Sequence, residues 1–363
     1  MTFAEIAGVF SAGPREKRHV SMMRHCQRAI QRIVFGDTFV PQAFTVGMAD
    51  PQTEITVWLH GMGAPLDVTS RHSMACADPF TVCIAFDEGF GPREKEHRRL
   101  TLKFRERGGQ KRVLGEIGLN LKSAAGIPAR GTELILFEAR SARNHCLPKA
   151  HILAHYARHR YLLWRRLDIA GIVMSFLERR AVMVMFIRPH PVVLLSLCDE
   201  AGGNIFPMNI MGDLGNGYFA FALKDSKVAA HLVERARRVA LSSIPISQTS
   251  LAYKLGANHR KQSIEWNELP FATRKSAKLH IPVPTFAQRV REMEVETVRK
   301  IGSHIFFVAR IVSDEHLATG AGLCIVHGFY QAWRLKGRRA DLEDSLAEDM
   351  HNKRGVPIDS LPL

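Results

Sequence analysis

The chain has 363 residues, 46% of them hydrophobic, and its Lys and Arg outnumber Asp and Glu by 50 to 35 for a formal charge of +15. Such a chain is globular rather than disordered and long enough for two or three domains with cores of their own. The positive balance favours an anionic partner, whether nucleic acid, a membrane surface or a phosphorylated cofactor. Cys26, Cys76, Cys83, Cys146, Cys198 and Cys324 form no C-x-x-C pair, which argues against a disulfide-stapled secreted domain or a zinc module and for reduced thiols.

The first residues carry an acidic side chain early and no basic leader before an apolar run, a poor signal peptide. No stretch approaches the ~18 apolar residues that cross a bilayer. A cytoplasmic protein without membrane spans is expected. Residues Arg15–Ile33 read as a helix ending at Gly36 and Asp37. Then Phe44–Val46, Glu54–Leu59, Phe80–Phe86, Leu100–Arg105, Val113–Leu121 and Glu133–Glu138 read as strands, with a hairpin at Arg107-Gly108-Gly109-Gln110. Residues 1–150 thus form a β-rich domain of unknown role. The stretch Asp67–His72 and the strand after it leave open a second, degenerate barrel or a partner-binding domain.

The segment PKAHILAHYARHRYLLWRRL is an amphipathic basic helix, a linker over 151–171. Beyond it Ile172–Leu177, Val182–Ile187 and Pro191–Cys198 are apolar runs of strand length. Strands over Ile205–Met211 and Tyr218–Leu223, a helix over Ser226–Arg237, a strand over Arg238–Ser243, a charged helix over Phe286–Lys300 and a strand over His304–Val312 complete a second domain, 172–335. A polar tail occupies 336–363. No internal repeat of fixed period is visible.

There is no G-x-G-x-x-G at a strand-to-helix turn, no Walker A loop, no G-x-S-x-G and no H-E-x-x-H, which removes the commonest dinucleotide, nucleotriphosphate and hydrolase readings. His151, His155 and His159 fall at i, i+4 and i+8 on one helix face, a spacing that suggests a metal site. Neighbouring Arg158, Arg160, Arg165 and Arg166 would repel a cation, so no metal is expected. The same helix gives nucleic acid little support, since Tyr156, Tyr161 and Trp164 serve equally as packing residues.

The informative block runs from His190 to Pro245, followed by GSHIFFVARIV from Gly302. A strand, a Gly-rich turn containing Asn204, the segment Pro207-Met208-Asn209-Ile210-Met211, another strand, a helix and a strand ending in Ser242-Ser243 before Pro245 resemble the flavin reductase-like family of FMN-binding split barrels. The resemblance covers fewer than half the residues. It implies a mainly β fold with some α (α+β), a C-terminal FMN-binding split β-barrel preceded by the β-rich domain.

A flavin needs backbone N–H groups, small polar side chains and apolar walls. By resemblance, Pro207 to Met211 line the ring and ribityl chain, although Met211 and Gly212 replace the family's small-hydroxyl and aromatic pattern. Ser242 and Ser243 could receive phosphate oxygens, with Lys254, Arg260 and Lys261 to neutralise them; Ser-Ser before Pro is also ordinary turn chemistry. Gly302-Ser303-His304 resembles the family's glycine-to-histidine entry to its late strand, which implies that His304 lies beside flavin and nicotinamide as the catalytic-site histidine. The implied activity is reduction of flavin or a substrate by NAD(P)H, with hydride passing directly between stacked rings. Positive charge tilts the donor towards NADPH, and analogy implies a homodimer. A non-catalytic flavin-binding module for redox sensing or partner recruitment is the alternative, and a barrel that binds other anions is a third.

Overall fold

In a computed structural model of the chain, residues 43–50, 54–108, 111–129, 131–164 and 174–336 are described. The expected helix Arg15–Ile33, the hairpin tip at 109–110, Cys26 and the tail beyond 336 lie outside them. The first described strand, β1 (Ala43–Met48), is followed by β2 (Ile55–His60), β3 (Leu66–Asp67), β4 (His72–Ala77), β5 (Phe80–Asp87), β6 (Thr101–Glu106), β7 (Val113–Ala129) and β8 (Thr132–Asn144). Helices α1 (Lys149–Trp164) and α2 (Phe176–Met185) then lead to β9 (His190–Pro191), β10 (Val193–Asp199), β11 (Gly202–Met208), β12 (Met211–Gly215) and β13 (Tyr218–Lys224). Next come α3 (Val228–Ala236), β14 (Arg238–Ser243), α4 (Thr249–Leu255), β15 (Thr273–Lys275) and β16 (Pro282–Pro284). The described chain closes with β17 (Arg289–Ile301), β18 (His304–His316), β19 (Gly322–His327) and α5 (Gly328–Lys336). The chain divides into two compact units; α1 belongs to one and all the sheets to the other.

The fold is mainly β, and its curled sheets fit a split barrel. One seven-stranded antiparallel sheet runs β3-β2-β6-β7-β8-β5-β4 and a second runs β11-β10-β14-β17-β18-β13-β12. Substituting β10 for β2, β11 for β3, β12 for β4, β13 for β5, β14 for β6, β17 for β7 and β18 for β8 turns the first order into the second. The bulge near the end of the hairpin is repeated as well, at Met74/Cys76 in the first sheet and at Asp213/Gly215 in the second. The repeat that the sequence conceals is therefore one of topology.

Each sheet buries one face under a helix. In the second, Leu195, Phe206, Phe221, Val233, Leu241, Met293 and Phe307 form a core closed by α3, with Phe221 stacked on Phe307 at 5.0 Å between ring centroids. In the first, α2 packs chiefly on β8 and also on β4, β5 and β7. A third sheet, β1-β19-β9, pairs Ala43 with His327 and Cys324 with Pro191. Among the described residues no helix is long and apolar enough to cross a membrane.

Two expectations need correction. The runs Ile172–Leu177 and Val182–Ile187 read as strands, but Phe176–Met185 is a helix. Ser175 caps it by accepting from Glu178 N at 3.2 Å and donating its own N–H to Glu178 Oε2 at 2.7 Å. A short, fully buried apolar run carries no periodicity that separates helix from strand. Phe286–Lys300 read as a charged helix, whereas Arg289–Ile301 is a strand held between β14 and β18. Its charges pair across strands: Arg310 with Glu294 at 2.6 Å and Glu296 at 3.1 Å, and Arg289 with Asp314 at 2.5 Å.

Candidate functional site

The two sheets meet where β4 packs on β12, β13 and β18. The contacts there are reciprocal. The β4–β5 turn of the first sheet receives the β17–β18 hairpin of the second, with Ser303 N donating to Asp78 O at 2.8 Å. The β12–β13 turn of the second receives the β7–β8 hairpin of the first, with Asn216 Nδ2 donating to Thr132 Oγ1 at 2.8 Å. Close approach of backbones requires glycine at this seam: a Cβ on Gly212 would fall 2.2 Å from His72 O.

At the first of these contacts Cys76 Sγ donates to Asp78 O at 3.1 Å and lies 3.6 Å from both Ser303 Oγ and His304 Nδ1. Ser303 Oγ is 2.9 Å from His304 Nδ1. His304 is 1% exposed and its Nε2 has no partner. Burial, assisted by Lys224, pushes its pKa down to about 4, so the imidazole is uncharged at neutral pH.

His304 pairs with Lys224, the last residue of β13, and from there a cationic face opens. Lys224 and Lys227 are half-buried and Arg260 is exposed. The lysine pKa values are lowered by burial first, then by each other's charge for Lys224 and by Arg260 for Lys227. Asp225, the adjacent carboxylate, is occupied by Lys300 at 2.6 Å. His259 completes this face, its Nε2–H donating to Pro207 O at 2.7 Å, with burial and both lysines holding its pKa down at about 4. Half-buried ammonium groups without an ion pair are costly unless an anion joins them.

The expected site residues are distributed differently. Asn204 is fully buried, donating from Nδ2 to Asn258 O at 3.1 Å and Lys261 O at 2.9 Å and accepting from Ile205 N at 2.8 Å. It fastens the segment that carries His259 and Arg260 rather than facing a ligand. Met208 and Met211 lie in the hydrophobic core of the second sheet, and Ile210 is buried beside them. Pro207 contributes its carbonyl to His259, and Asn209, half-buried, bonds through its backbone to His190. Ser242 is fully buried with Oγ unpartnered, on the sheet face covered by β16; Ser243 is half-buried and its carbonyl accepts from Gln288 N at 2.9 Å. Lys254 is exposed on α4.

Sequence reasoning missed Cys76, Lys224, Lys227 and His259. A strand ending in Lys, followed by a helix whose N-terminus carries a second Lys, is a legible anion signal; Cys76 has none, since it acts from the other sheet. Nor do the described residues of α1 hold a cluster of metal ligands.

A second buried group lies at the same seam. His72 donates from Nδ1 to Val68 O at 2.5 Å, and burial with the Arg188 charge brings its pKa down to about 3. Arg188 is 7% exposed, its Nε lacks a partner, and burial brings its pKa down to about 10.

No family model matches the sequence, and no curated protein does. Solved structures that the chain is similar to are flavin reductases and FMN-binding proteins, each over part of its length. An FMN-binding protein from Thermus thermophilus is 22% identical with a TM-score of 0.32, the match covering 35% of this chain and 71% of that one. The NADH:FAD oxidoreductase SgcE6 of Streptomyces globisporus C-1027 is 11% identical with a TM-score of 0.36, covering 40% and 87%. The styrene monooxygenase flavin reductase of Pseudomonas putida S12 is 20% identical with a TM-score of 0.32, covering 38% and 89%.

Proposed function

We propose that the chain binds FMN non-covalently, with its phosphate on the face formed by Lys224, Lys227 and Arg260, and that NAD(P)H reduces the bound flavin. The observation that carries this reading is the cationic face itself, whose Lys224, Lys227 and Arg260 make no ion pair among the described residues while the adjacent Asp225 is held by Lys300. A dianionic phosphate supplies the missing charge, and charge-assisted hydrogen bonds to it are the strong ones. The segment Pro207–Met211, with Gly302-Ser303-His304, carries the resemblance that makes the phosphate a flavin's.

Bound flavin would supply the hydride-accepting ring and hand electrons onward. The protein's part is to bind and orient. Lys224, Lys227 and Arg260 hold the phosphate end, His259 fixes the Pro207 carbonyl, and His304, neutral and buried, sets the conformation of the Ser303 hairpin beside Lys224. A non-catalytic flavin module is the second reading, and the burial of His304 favours it, because that burial withholds the histidine from a nicotinamide.

The test is a titration of the purified protein with FMN and with riboflavin, followed by anaerobic NADH and NADPH. FMN is expected to bind at least about tenfold more tightly than riboflavin, the difference shrinking with salt, and its visible bands to bleach on adding a nicotinamide donor. Equal affinity for the two removes the phosphate site; bound flavin that stays oxidised leaves the binding module.

A further inference from the structure

We infer that the two sheets are a fused pair in which the first half stands where a second subunit would, and that the chain keeps one anion-binding site out of two equivalent positions. The inference rests on the flavin reading for the identity of the ligand, but the asymmetry is a property of this chain alone.

The identical strand orders and the reciprocal turn-to-hairpin contacts, Asp78 with Ser303 and Asn216 with Thr132, are the pattern of an isologous two-fold interface. In a symmetric dimer, whatever stands at one position stands at its mate. Fusion releases that constraint, and the two positions can diverge.

They have diverged. The rung that follows the hairpin turn is His304 opposite Lys224 in the second sheet and Thr132 opposite Asp87 in the first. An ammonium is replaced by a carboxylate, and Asp87 already pairs with Arg71 at 2.9 Å. Lys227, half-buried, stands at the head of α3, whereas the first sheet has only a single 3-10 turn, Glu94–Glu96, between β5 and β6, and its head residue, Arg93, is exposed beside Glu94 and Glu96. His259 and Arg260 come from the long connection between β14 and β17, whereas the short connection from β6 to β7 holds no helix or strand among its described residues. The carboxylate at the place of Lys224 and the missing segment of His259 and Arg260 thus remove most of the second position's cations from the first. What the first half gives is the Cys76 and Asp78 contact that holds Ser303 and His304 in place.

The experiment is a titration of the full chain with FMN at known protein concentration, with the solution mass measured on the same sample, in wild type and in Lys224→Glu, with Lys227→Glu as a second variant and circular dichroism to check folding. One FMN per chain in a single-chain particle is expected, and loss of all of it, a drop in affinity of tenfold or more, in either variant. Two equivalents per chain, or one equivalent surviving in Lys224→Glu, overturns the single-site inference while leaving the flavin reading intact. One FMN per two chains overturns it too, because the site would then need a second copy. If FMN does not bind at all the flavin reading fails, and the same titration with inorganic pyrophosphate decides the inference. One equivalent lost in Lys224→Glu upholds it; two equivalents or none overturn it.

Discussion

Gly302 sits against Asp78: a Cβ on that glycine would lie 2.2 Å from the Asp78 carbonyl oxygen, and its φ is +51°. The second sheet is docked on the first through a residue with no side chain. Gly302→Ala meets both the left-handed backbone and the clash, and is expected to cost about 1–3 kcal/mol. Urea unfolding checks this, and an unchanged midpoint would show that the seam between the sheets is loose.

Glu54, at the entrance to β2, accepts from Tyr330 Oη at 2.5 Å and from Arg334 on α5, and all three side chains are buried. Removing the carboxylate in Glu54→Gln leaves the Arg334 charge without its counter-ion, at a cost of about 3–5 kcal/mol. The double variant Glu54→Leu with Arg334→Met is expected to recover much of the loss. Denaturant midpoints of the three proteins decide it, and a double variant no better than the single one contradicts the assignment.

His72, His190, His259 and His304 have pKa values pushed down by burial to about 3, 4, 4 and 4. The unfolded chain protonates its histidines near 6.5. Above that pH both states are neutral and the folded protein is at full stability. Between about 6.5 and 4 only the unfolded state takes up protons, so stability is lost as pH falls, on the order of 2–3 kcal/mol per histidine at pH 4. Thermal melts over that range should show a steep acid decline, shallower in His190→Gln. A flat profile would mean that these imidazoles are protonated in the folded protein.

Asn204→Ala removes two hydrogen bonds to the segment carrying His259 and Arg260. It is expected to cost about 1–3 kcal/mol of stability and to weaken FMN binding although the residue touches no ligand. Lys254→Ala, an exposed change on α4, is expected to leave binding as it was. Parallel titrations of the two variants check this; the opposite ranking would place the phosphate at α4.

Much of the strand content was legible because strands such as Phe80–Phe86 and Arg238–Ser243 are β-rich and end at turn residues. The Phe176–Met185 helix was not, since its apolar half, Ala181–Met185, is buried all round and too short to show a 3.6-residue period. The Arg289–Ile301 strand was misread because its many charges were taken for a solvated helix face, although Arg289, Arg291, Glu294 and Glu296 alternate with Val290, Met293 and Val295 as strand residues do and pair with Asp314 and Arg310 on the neighbouring strand. At the site, glycine and histidine spacing drew attention to Gly302-Ser303-His304, but the Cys76 and Asp78 that hold it lie more than two hundred positions earlier, a relation that local spacing does not encode. Asn204 and Met208 drew attention for their chemistry, and burial turned both to structural use.

The pairing of β1 with β19 bears on how the chain is made. Ala43–Met48 leaves the ribosome early, while its partner Gly322–His327 comes at the far end of the described chain. Until then Val46 and Met48, both buried in the finished structure, have no strand to cover them, and the edge they present can recruit other chains. The half-finished polypeptide therefore carries an uncovered apolar edge through most of its synthesis, and the last described strand is the one that closes it.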